Sequence, residues 1–148
     1  MATQWTAGTT SGQVLTAATL NTIGAAWVDF TPTLTQGVTV TKTTAQARYC
    51  QIQKTVIGQL VLNVTSAGTA GQFVLVGVPI TAKATLGMSV YGYIYDASAN
   101  TIYNVTGYMY TTTTLAFFYQ TGSAFGASPA VTLATSDQIS INFSYEIA

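Results

Sequence analysis

From Phe30 onward, apolar and polar residues alternate with a period of two. That spacing sends successive side chains to opposite faces of a strand. The last segment is the clearest. Ile139, Ile141, Phe143, Tyr145 and Ile147 alternate with Gln138, Ser140, Asn142, Ser144 and Glu146, after a turn at Ser136-Asp137. The same reading predicts strands over 30–35, 38–42, 45–52, 55–66, 72–78, 87–96, 101–111, 113–120 and 138–147, with a short piece near 130–134. Pro32 and Pro79 belong at strand ends or edges, because proline cannot donate to a ladder. The segments 87–96 and 101–111 read as a hairpin turning through Asp96-Ala97-Ser98-Ala99-Asn100.

Two of these strands are apolar on both faces. Over 55–66, Val56, Leu60, Leu62 and Val64 oppose Ile57 and Val61; over 113–120, Leu115, Phe117 and Tyr119 oppose Ala116 and Phe118. A sandwich buries one face of each sheet, so a two-sided strand predicts a second buried contact such as a subunit interface. Short β-branched and aromatic strands with no helix among them predict an all-β fold, a jelly-roll-like β-sandwich.

The first thirty residues follow a different pattern. Residues 1–12 are Thr, Gly and Ser around Trp5 and read as an extended arm. Leu20, Ile23 and Trp27 then share helical spacing, with Thr16 as an N-cap and Gly24 as a stop. One short helix is expected over residues 17–23, too short to stand alone. The chain thus divides into an arm over 1–29 and a β domain over 30–148.

Composition sharpens this picture. Of 148 residues, 49% are hydrophobic and only 5% are charged, against roughly 25% charged in an ordinary soluble domain. Four cations balance four acids. Net charge keeps proteins apart in solution, so a neutral, charge-poor chain predicts that much of its surface is covered in an assembly. Four scattered cations cannot neutralise a run of phosphates, so nucleic acid is not an expected partner. No apolar run is long enough for a membrane helix. The N-terminal sequence lacks the basic and apolar regions of a secretory signal, which also weighs against an outer-membrane barrel, and no membrane insertion is expected.

The chain contains no histidine, hence neither the usual general base nor the commonest metal ligand. The acids Asp29, Asp96, Asp137 and Glu146 are scattered and read as turn and edge residues, so no catalytic site, metal or cofactor is expected. Cys50 is the one cysteine and reads as a buried apolar residue. Asn63, Asn104 and Asn142 each begin an Asn-x-Thr/Ser triplet, but inside predicted strands. The tyrosines are the candidate recognition groups. Tyr91, Tyr93 and Tyr95 share one strand face, with Tyr108 and Tyr110 placed to lie beside them. Such rings either stack on a sugar or protein partner or fill the core or a subunit interface.

The phrases Gly12-Gln13-Val14-Leu15-Thr16-Ala17-Ala18-Thr19-Leu20-Asn21 and Trp27-Val28-Asp29-Phe30-Thr31-Pro32-Thr33-Leu34-Thr35 resemble the N-terminal stretch of bacteriophage tail and minor virion structural proteins. Ala47-Arg48-Tyr49-Cys50-Gln51-Ile52-Gln53-Lys54-Thr55-Val56 is similar to that family's strand pair, with Gln53 where the family has glycine. Phe73-Val74-Leu75 to Val78-Pro79 resembles a further strand of it. The resemblance implies a fibre-type virion protein. Its N-terminal segment would anchor it to tail or capsid through Trp5, Leu15, Leu20, Ile23 and Trp27, and its β-sandwich would be homotrimeric and turned toward the host surface. Two further readings stand beside it: a capsid decoration protein, and a carbohydrate-binding module whose platform is the tyrosine face.

Overall fold

The computed structural model describes residues 26–85, 89–119 and 122–148. The expected helix over 17–23 and the anchoring residues Trp5, Leu15, Leu20 and Ile23 lie outside them. The described residues form eleven strands: β1 (Val28–Asp29), β2 (Leu34–Gln36), β3 (Val38–Thr39), β4 (Lys42–Ile52), β5 (Thr55–Val64), β6 (Leu75–Gly77), β7 (Ser89–Asp96), β8 (Thr101–Thr111), β9 (Thr114–Tyr119), β10 (Ser123–Ala124) and β11 (Gln138–Glu146). The sheet runs β1-β4-β5-β11-β7-β8-β9-β6-β2-β3, with β10 added on β9. Every pairing is antiparallel.

Connectivity forces this sheet to curl. β3 ends at Thr39 and β4 begins at Lys42, a span of about 11 Å at full extension. In the sheet order the same strands lie eight steps apart, about 38 Å if the sheet were flat. The far strand must therefore come round to the near one. Val40, in the link, is 2% exposed. Its neighbour Thr41 accepts from the amide of Thr65 at 2.9 Å and donates its own amide to Ser66 Oγ at 2.8 Å, which ties the link to the end of β5. A jelly roll divides its strands between two sheets. Here the hydrogen bonding is continuous, and the opposing walls belong to one curled half-barrel.

The concave face is the core. In β5 and β11 the period-two pattern buries Val56, Leu60, Leu62, Val64, Ile139, Ile141, Phe143 and Tyr145. Cross-strand partners on this face alternate in size: Tyr49 pairs with Gly58, Gly58 with Phe143, and Phe143 with Val90. A Cβ on Gly58 would run into the Phe143 ring, so the glycine makes room for the aromatic. Phe30 then meets Tyr49 and Phe143 edge-on, with centroids 5.9 and 6.3 Å away.

Segment 130–134 is not a strand. Gly68 N donates to Leu133 O at 2.9 Å, Ala134 N donates to Asp137 at 2.8 Å, and a side chain holds two more of the segment's backbone groups. Gln36, fully buried, donates Nε2 to Val131 O at 2.8 Å and to Gln72 O at 3.1 Å, and accepts from Leu133 N at 2.8 Å. The turn between β4 and β5 keeps a glycine-type conformation without glycine. Gln53 stands there with φ of 52°, a left-handed conformation that glycine adopts more readily.

Candidate functional site: the outer sheet face

The alternate residues of each strand form the convex face, and strand register sets them in rows. One row crosses seven strands: Asp29, Arg48, Gln59, Asn142, Tyr91, Thr106 and Phe118. The next holds Gln46, Val61, Ser140, Tyr93 and Asn104, and a third Asn63, Gln138, Tyr95 and Ile102. In these rows the only charges are Asp29 and Arg48, both at one end. The rest is hydroxyl, amide, aliphatic and aromatic.

The tyrosines of β7 lie on this outer face, not in the core, but they are not equivalent. Tyr93 donates its hydroxyl to Gln138 Oε1 at 2.9 Å, and Gln138 in turn donates to Asn63 at 3.0 Å. Tyr95 donates to Asn100 Oδ1 at 3.0 Å. Tyr108 stacks on Phe118 with centroids 4.3 Å apart; burial, with the neighbouring Tyr110 phenol, raises its pKa. That stack covers the outer side of β9 from within the chain, so the two-sided apolar pattern of this strand has a partner without a second subunit. Tyr110 lies apart, edge-on to Phe73 at 5.9 Å, on a shallow groove of about 610 Å³ shared with Val38 and Leu75. Tyr91 remains open, 61% exposed.

Trp27 reaches the same face from the β1 edge. Its ring lies over the Arg48 guanidinium, 4.8 Å from the ring centroid, and Arg48 also donates to the Gln59 side-chain oxygen. Between Trp27 and Tyr91 is a crevice of about 140 Å³, walled also by Ile57 and floored by Ser89, Asn142 and Ser144. The sequence marks Trp27 only as an anchor. Its place opposite Tyr91 depends on which strands are neighbours, and no local pattern encodes that.

The acids are structural in their contacts. Asp137, 1% exposed, accepts from Ala97 N at 2.9 Å and Ala134 N at 2.8 Å. Burial pushes its carboxyl above the usual range, against the pull of those two amides, and the charge of Asp96 adds to the rise. Asp96 accepts from Ser98 Oγ at 2.7 Å and Ala99 N at 3.0 Å. Burial opposes its ionisation, but the hydrogen bonds from Ser98 and Ala99 outweigh it and hold the carboxyl below the usual range. These two carboxylates therefore meet at the 96–100 turn as acceptors for backbone amides. Glu146 pairs with Lys83 at 2.8 Å on the surface. Among the described residues no three His, Cys, Asp or Glu side chains gather as metal ligands, and no helix is long and apolar enough to cross a membrane. Cys50 is buried.

The fold and this face define a β-rich antiparallel sheet protein with an aromatic, charge-poor exterior. No family model matches the chain, and neither does any curated protein or solved structure.

Proposed function

We propose that this chain is a bacteriophage virion structural protein of fibre type, held to the particle through residues 1–29 and displaying its β domain as a homotrimer. The observation that carries this reading is the outer sheet face. A seven-strand row with charge only at its Asp29–Arg48 end is a surface suited to contact with other protein, since interface cores are depleted of charge and enriched in aromatics. Trp27, 45% exposed, extends the apolar surface to the point where residues 1–25 join the domain. Trp5, Leu15, Leu20 and Ile23 would continue it as the anchor.

Deletion of residues 1–25 tests the anchor. The truncated chain is expected to keep its β-type circular dichroism, because every buried residue among the described ones lies at Pro32 or beyond, and to be lost from assembled particles. Truncated chain present in particles at the full-length level would overturn the anchor. Electron microscopy of intact particles separates the fibre reading from capsid decoration: density at a tail or projecting fibre supports the first, density on the shell lattice the second, and absence from the particle refutes both.

A further inference from the structure

We propose that the crevice between Trp27 and Tyr91 is a binding site for one neutral hexose unit of a glycan. Two exposed rings wall it on the same sheet face, and aromatic faces stack on the C–H faces of sugars while polar groups at the rim bind hydroxyls. Three of its lining residues, Asn142, Ser89 and Ser144, carry such groups. An amide offers both donors and an acceptor, and a hydroxyl offers one of each, which matches sugar hydroxyls that also do both.

Charge selects the class of sugar. None of the lining residues is Asp, Glu, Lys or Arg. Arg48, outside the lining, lies over the Trp27 ring and donates to Gln59, so no lining group offers a charged partner to an acidic sugar. Size agrees as well. A space of about 140 Å³ lies below the roughly 300–1,000 Å³ of pockets for drug-sized ligands, which suits a single sugar unit. Tyr93, Tyr95, Tyr108 and Tyr110 make contacts elsewhere within the chain; Tyr91 and Trp27 are the two rings that line the crevice, with Arg48 on one side of Trp27. The crevice takes up the Trp27–Tyr91 part of the outer face, so the protein contacts of the virion reading fall on the rest of that face; location in a particle bears on that reading alone.

The test uses the full chain on a printed array of neutral hexose and N-acetylhexosamine oligosaccharides beside sialylated ones, followed by calorimetric titration of the best-retained sugar. At least one neutral glycan is expected to bind. Trp27→Ala, Tyr91→Ala and Asn142→Ala are each expected to weaken it roughly tenfold or more, as truncation of a side chain at the centre of a binding site does, while Tyr110→Ala in the separate groove leaves it unchanged. Retention of acidic glycans only, no retention at all, or binding indifferent to Trp27→Ala and Tyr91→Ala overturns the site. If no glycan binds and the same two variants change the sedimentation coefficient of the chain, the crevice belongs to a second copy instead.

Discussion

Gln36 is an amide with no solvent contact in a strand of three residues, yet it ties three separate stretches of backbone together through Gln72, Val131 and Leu133. Removing a buried partner leaves the remaining groups desolvated and unpaired. Gln36→Ala is therefore expected to destabilise the chain by about 3 kcal/mol, read as a lower denaturation midpoint in urea at unchanged slope. The paired carboxylates of the 96–100 turn make a pH prediction with opposite signs. Asp96 has its folded pKa below the ordinary value of 3.8, so its contribution is present above that value and is lost as pH falls through the folded pKa. Asp137 has its folded pKa raised, so its contribution is full below the unfolded value and fades as pH rises through the folded one. The penalty for Asp96→Asn should grow between about pH 3 and about pH 7, and that for Asp137→Asn should shrink. Urea denaturation of both variants at the two pH values checks this. The two roles differ in legibility. Asp96 caps its own turn through Ser98 and Ala99, whereas Asp137 sits in a Ser-Asp turn that reads as solvent-exposed and is buried where Ala97 reaches it from a distant part of the chain.

Strand existence is plain in the sequence, because β11 alternates along its whole length and β5, β7 and β8 are runs rich in β-branched and aromatic residues. Strand ends and short edge pieces are less so. The expected strand 30–35 begins only at Leu34, since Phe30 turns inward to pack against Tyr49 and Phe143. The expected strand at 130–134 is absent, its backbone bonding instead to Gln36, Gly68 and Asp137. The hairpin of β7 and β8 through Asp96–Asn100 forms as read. Gly92 shows how tightly β7 is seated: a Cβ there would strike Ser140 O and Ile141 on the neighbouring β11. Overpacking of this kind pushes backbone rather than a flexible side chain, so Gly92→Ala should cost about 3 kcal/mol. The β4–β5 turn predicts the reverse sign. Gln53 holds a left-handed φ, and Gln53→Gly should relieve that strain and raise stability by about 0.5 kcal/mol net of the added chain entropy. Thermal denaturation of the two variants side by side tests both directions.

The molecule as a whole joins a well-filled core to an exterior almost free of charge. Homotrimer assembly, if it covers part of that exterior, links folding to concentration, because association stabilises only the folded chain. The thermal midpoint of the full-length protein is then expected to rise as its concentration is raised tenfold, about as mass action requires; a midpoint independent of concentration would show that the chain folds alone. The all-β character, the absence of a histidine-based site and the charge-poor exterior were all readable from residue order and composition, since each depends on local period or on a simple inventory. The curl of the sheet, the burial of Gln36 and Asp137, and the meeting of Trp27 with Tyr91 were decided only in three dimensions. All of these depend on which strands become neighbours. That order is settled by packing across the whole sheet and by the short link at Val40-Thr41, which draws opposite ends of the sheet together.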